Sequence, residues 1–192
     1  MPVQIGAKAH SFSDPTGLLS DCHRRIEMFL GSLETVATVI DRPLRDDTRA
    51  ALESALHYFR ESAPKHTADE EESLFPRLRQ MLHPDVGSAL TRLELLEEEH
   101  RQADPLHAEV DELGRQYLAN GTLRPTEAER FRKAVACLAS IYKQHIKIED
   151  EVIFPVAARL LSAAEKMAIA DEMATRRKVR LVTSISDLAE RA

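Results

Sequence analysis

His66-Thr67-Ala68-Asp69-Glu70-Glu71-Glu72-Ser73-Leu74-Phe75-Pro76 recurs later in the chain as His145-Ile146-Lys147-Ile148-Glu149-Asp150-Glu151-Val152-Ile153-Phe154-Pro155. Each copy is a His, a Glu four residues on, two further acids, an apolar residue and Phe-Pro. On a helix, positions i and i+4 stand one above the other, so each copy offers an imidazole and a carboxylate from one face. A lone His-x-x-x-Glu is usually a solvated surface pair. Here it recurs with the same ending, and each copy has an upstream His at a matched distance: His23 lies 43 residues before His66, and His100 lies 45 before His145. Four His and two Glu in two matched halves can enclose a pair of metal ions.

The surrounding pattern is helical throughout. Asp14-Pro15 reads as an N-cap followed by proline at the first helical position. His23, Ile26, Leu30, Leu33, Ala37 and Ile40 then alternate in steps of three and four, the inward stripe of a bundle helix. Asp41-Arg42-Pro43 breaks the chain, and Asp46 or Asp47 can cap a second helix whose apolar face includes Leu52, Leu56 and Phe59. Pro64 interrupts that helix just before His66. A third runs from about Val86 to Asn120-Gly121, with Leu93, Leu96, His100, Ala103, His107, Val110, Gly114 and Tyr117 along one face. Thr126-x-x-Glu129 opens a fourth, with Val135, Leu138, Tyr142, His145, Glu149 and Val152 inward. Ser162-x-x-Glu165 starts a short fifth. The expected fold is all-α, with an irregular lead-in over 1–13 and a C-terminal helix and tail over 161–192.

This pattern resembles the hemerythrin-like, or HHE cation-binding, family, and the resemblance implies an up-down four-helix bundle over residues 14–160 holding a non-haem di-iron centre. The resemblance implies His23, His66, His100 and His145 as imidazole ligands, with Glu70 and Glu149 as bridging carboxylates. It further implies two iron ions with an oxo or hydroxo bridge, and manganese or zinc also suit an imidazole and carboxylate set without thiolate. Six ligands with both Glu bridging leave one or two open positions per metal, for a small diatomic molecule or peroxide. Asp104 stands where oxygen-carrying hemerythrins place a second third-helix imidazole, which argues against simple reversible oxygen carriage. The expected function is binding, sensing or reduction of oxygen, peroxide or nitric oxide, with peroxidase, oxidase or nitric-oxide-related turnover left open. Iron handling by ferroxidation, storage or iron–sulfur repair, and a metal-stabilised adaptor bundle, are the alternatives.

The other polar residues take lesser roles in this reading. His10 sits in the lead-in, His83 in a loop before Pro84, and His57 about half a turn away from His66, so none is expected at the metals. His107, two turns beyond His100, is expected to be a hydrogen-bonded core residue, with a ligand or supporting role as the alternative. Asp104 and Glu27 each follow a ligand His by four and are candidates for supporting contacts. Glu71, Glu72 and Asp150 turn off the ligand line and are expected to form a solvated acidic face. Tyr142, one turn before His145, is a packed ring or a donor to a bound oxygen species. A net charge of −6 over 192 residues gives no footprint for nucleic acid or an anionic membrane, and no apolar run is long enough to span a bilayer. The N-terminus has no apolar segment of the secretory kind, and two cysteines without a Cys-x-x-Cys pattern point to reduced thiols, hence a cytoplasmic protein.

Overall fold

The structure, a computed structural model, describes residues 10–179; the first nine residues of the expected lead-in and residues 180–192 of the tail lie outside it. Eight α-helical segments follow in order: α1 (Pro15–Ala37), α2 (Asp46–Glu61), α3 (Ala63–Ala68), α4 (Phe75–Gln80), α5 (Pro84–Asn120), α6 (Pro125–Ile148), α7 (Phe154–Leu160) and α8 (Ala163–Arg176). A π turn, Asp69–Leu74, joins α3 to α4, and another, Glu149–Ile153, joins α6 to α7. The bundle therefore has four rods: α1, α2–α4, α5 and α6–α7. Because α1 packs on α2 and α6, and α5 packs on the same two, the rods close into a ring. α8 lies outside it, against α1 and the first π turn. Among the described residues no helix is long and apolar enough to cross a membrane.

Local signals explain most of the boundaries. The Asp14 carboxylate accepts from Gly17 N at 3.0 Å, and Pro15 follows at the first helical position. Gly121 ends α5 with φ +73°, a left-handed conformation that costs glycine nothing and side-chain-bearing residues about 1–2 kcal/mol. Ser162 and Glu165 close a capping box on α8: Ser162 N donates to Glu165 at 2.8 Å and Glu165 N to Ser162 Oγ at 3.2 Å. Two caps differ from expectation. Asp46 and Asp47 lie inside the first turn of α2 rather than capping it, where their charge suits the helix dipole. The α6 box also sits two residues earlier, with Arg124 N donating to Glu127 at 3.0 Å. Pro125, with φ already fixed for the first helical position, draws the start of α6 forward from Thr126.

Two hydrophobic clusters fill the bundle. One, with Ile26, Leu30, Leu33, Leu52, Leu56, Val110, Tyr117, Phe131 and Leu138, fills the end nearest the α1–α2 connection. The other, with Leu19, Leu74, Phe75, Leu78, Leu93, Leu96, Ile153, Phe154, Ile169 and Met173, fills the opposite end beneath α8. Every core stripe changes from one cluster to the other at a His: Leu19 and Ile26 flank His23, and Ile146 and Ile148 follow His145. A polar layer thus lies between two apolar ones.

Candidate metal centre

The Phe-Pro ending of each repeat shapes the helix that carries it. Proline has no N–H, and its ring clashes with the carbonyl four residues back in a regular α ladder. In both copies the turn before the proline is widened, so Phe75 N donates to Glu70 O and Phe154 N to Glu149 O, five residues back. A π turn advances less per residue than an α turn, so residues just after the Glu stay closer to the ligand face. π turns of this kind recur at functional sites, where they re-aim side chains.

All six expected ligands converge. His23, His66, Glu70 and Glu149 offer donor atoms within 4.8 Å of one another, and so do Glu70, His100, His145 and Glu149. The two groups share Glu70 and Glu149, an arrangement suited to two ions bridged by two carboxylates. His66 Nε2 lies 3.1 Å from Glu70, His145 Nε2 3.2 Å from Glu149, and His23 Nε2 3.0 Å from Glu149. The Nε2 atoms of His100 and His145 face each other at 3.0 Å. Two nitrogens each about 2.1 Å from one transition-metal ion stand roughly that far apart.

The layer is buried: His23, His66, His145, Glu70 and Glu149 are at most 4% exposed. Yet these close His–Glu approaches are not aligned as hydrogen bonds, and His23 Nε2, His66 Nδ1 and all four oxygens of Glu70 and Glu149 have no hydrogen-bond partner. Leaving such groups unmatched in an apolar interior costs about 1–3 kcal/mol each, more for charged ones. A cation held at their centre removes that cost, so the residues fit a metal centre.

Three imidazoles are oriented from behind. His23 Nδ1 bonds Asp150 at 3.0 Å, His100 Nδ1 bonds Glu71 at 2.8 Å, and His145 Nδ1 bonds Glu99 at 2.9 Å. An Nδ1–H donated to a carboxylate leaves the Nε2 lone pair aimed at the metal and makes it a better ligand. The expectation that Glu71 and Asp150 face solvent is therefore overturned. Each acid after the shared Glu supports the upstream His of the other half, because the π turn swings it toward the neighbouring rod. Glu27 and Asp104, the expected supporting acids, are exposed instead. Glu99 was missed: it immediately precedes His100, and nothing along one helix marks it as a partner of His145. In the first half the matching position before His23 is Cys22, and His66 Nδ1 is left without a partner. Asp150→Asn, Glu71→Gln and Glu99→Gln should each weaken metal affinity about 10- to 100-fold while leaving helical content unchanged. Metal-competition titration with a chelator measures this, and unaltered affinity in all three would rule the supporting role out.

Without cations, protons partly fill the charge deficit. Burial pushes the His23 pKa down, but the Asp150 hydrogen bond and the nearby Glu149 carboxylate carry it up to about 9. His145 is raised by the same balance, with Glu149 and Glu99 overcoming burial. Burial and the facing Glu149 raise Glu70 well above the usual carboxylate range, whereas Glu149 is held low, against burial, by His145 and His23. His66 is driven well down by burial and by His23, and remains a neutral donor. Metal binding is therefore expected to release protons.

Outside this layer, His57 and His83 are exposed, and His10 bonds Asp21 at the surface, at 3.1 Å. His107 sits between Phe59, at a ring-centroid distance of 4.9 Å, and the Tyr142 hydroxyl, at 2.9 Å, as a hydrogen-bonded core residue. Burial pulls its pKa from 6.5 to about 4. The folded state thus binds that proton less readily than the unfolded chain, so the associated stability is full above pH ~6.5 and is lost as pH falls through ~4. His107→Leu should flatten this acid limb by up to roughly 3 kcal/mol, read from urea melts across that window. An unchanged slope would mean His107 protonates freely in the native state.

The hemerythrin HHE cation binding domain model matches residues 14–157. An uncharacterized protein of Haemophilus influenzae is 27% identical over 177 residues, covering 88% of this chain and 94% of that relative.

Proposed function

The chain belongs to the hemerythrin HHE cation-binding family, and from that premise we propose that it is a cytoplasmic non-haem di-iron protein that binds, senses or reduces a small oxidant such as oxygen, peroxide or nitric oxide. The observation that carries this reading is the pair of four-residue donor groups sharing Glu70 and Glu149. An iron pair bound there would supply electrons to, or reversibly bind, a small oxidant. The chain's own residues do the rest. His23, His66, His100 and His145 would hold the ions, the two Glu would offset their charge, and Asp150, Glu71 and Glu99 would keep three imidazoles in the ligating tautomer.

Access favours a small guest. A cavity of about 160 Å³, lined by Phe59, Ala63, Thr67, His100, Ala103 and Tyr142, reaches the ligand His100 from the bundle side. That is below the ~300–1,000 Å³ typical of sites for larger organic ligands. Phe59, Ala63 and Ala103 give it apolar wall, exposed Asp104 is part of the same lining, and Tyr142 and His107 add a hydrogen-bonded pair.

The test is reconstitution with Fe(II) followed by metal analysis and an optical spectrum. Two ions per chain and a visible charge-transfer band that responds to peroxide, oxygen or nitric oxide are expected. A stable plateau at one ion, or a loaded protein whose spectrum ignores all three oxidants, overturns the proposal.

A further inference from the structure

On the opposite side of α1 from the second repeat, Cys22, Arg25, Tyr58, Ser62, Lys65 and Arg177 line a cavity of about 240 Å³. Three of the six are cations and none is a carboxylate, in a chain whose acids outnumber its bases by 32 to 26. From this lining we infer that the cavity is a binding site for a small tetrahedral dianion, either free phosphate or the head of a phosphate monoester.

The charge of the guest follows from which cations already have partners. Arg177 donates to Asp69, at 2.5 Å, and its charge is met there. No ion pair engages Arg25 or Lys65 among the described residues. The cavity therefore presents two uncompensated positive charges. The Ser62 hydroxyl adds a neutral donor to the same wall, while the Tyr58 hydroxyl already donates to Cys22 O, at 3.4 Å.

Geometry and size favour a phosphoryl group. Guanidinium and ammonium together suit a multidentate oxyanion: the Arg fork takes two oxygens and the Lys acts as a point charge on a third. The volume again falls short of the ~300–1,000 Å³ of larger ligand sites, so the guest is a phosphate with at most a short organic stub. The site is separate from the metal layer but touches the turn that carries Glu70. Arg177, one of its walls, holds Asp69, the residue before Glu70.

The test is calorimetric titration of the protein, as purified, with inorganic phosphate and separately with glycerol 3-phosphate, at ionic strength fixed with chloride. Saturable binding of one anion per chain is expected. Tighter binding of glycerol 3-phosphate assigns the site to a phosphate monoester, and equal binding assigns it to free phosphate. Arg25→Gln and Lys65→Gln, singly and together, should weaken binding, the pair by at least about tenfold, because each removes a charge-assisted contact. Lys143→Gln, on the groove between α1 and α6, should leave it unchanged. Glu70→Gln should also retain phosphate binding, which keeps this result distinct from the fate of the metal proposal. Absence of saturable binding by either anion overturns the inference. So does binding that survives the double substitution, which would place the anion at the metals or elsewhere. Circular dichroism checks that the variants fold, and Arg25, being exposed, gives a single change that the core does not feel.

Discussion

Glu70→Gln and Glu149→Gln are each expected to lower bound iron from two ions per chain to at most one and to abolish the visible band. Each carboxylate belongs to both donor groups, whereas each His belongs to one. Two dications about 4 Å apart repel by on the order of 16 kcal/mol at an effective dielectric of about 20, four times the figure for unit charges. A two-ion centre would tolerate that only with anionic bridges between the ions. Gln keeps the shape of the side chain but removes the charge and one bridging oxygen, and burial leaves no water to replace them. A single His change should more often spare one ion. The proper control is Glu151→Gln, which is exposed; Glu71 and Asp150 cannot serve, because they hold His100 and His23. Elemental analysis with optical spectroscopy reads the result. Equal metal loss in Glu151→Gln would mean that the acidic run acts as bulk charge, and the bridging assignment would fall.

Asp69→Ala is expected to destabilise the fold by about 3 kcal/mol and to loosen α8. Asp69 is fully buried and accepts from Arg176 at 2.9 Å and Arg177 at 2.5 Å, the last residues of the α8 arm. Arg176 also reaches Ser73 and Glu72, so this arm grips the first π turn along its length. Removing one member of a buried pair typically costs about 3–5 kcal/mol. The lower end applies because the two Arg side chains are about a fifth exposed and can rehydrate. Arg176→Ala should cost less, since Arg177 still holds the carboxylate. Urea unfolding of the two single variants and the double variant forms a cycle that isolates the coupling. A loss below about 1 kcal/mol for Asp69→Ala would show that α8 is held by its apolar face alone, through Ile169 and Met173.

These two predictions draw on different levels of the molecule. The two shared Glu were legible because His-x-x-x-Glu is a relation within one turn of one helix, and its repetition with matched upstream His made it specific. The Asp69 clamp was not: Arg176 and Arg177 fall in the C-terminal helix and tail, where no local spacing ties them to Asp69. Its partner lies more than a hundred residues away and is set by how α8 folds back.

The sequence by itself determined the helical class, the four-rod arrangement and the six residues of the inner layer. All three follow from periodicity, caps and breaks, which act over a few residues and so are written locally. The tertiary structure alone decided how the imidazoles are aimed. A strict 3.6-residue count turned Glu71 and Asp150 toward solvent, but each Phe-Pro widens the preceding turn and swings these acids sideways to His100 and His23 on neighbouring rods. Glu99 reaches His145 across the α5–α6 contact in the same way. Such pairings depend on the rotation and offset of packed helices, a quantity set by the whole core. No spacing within a single segment encodes it.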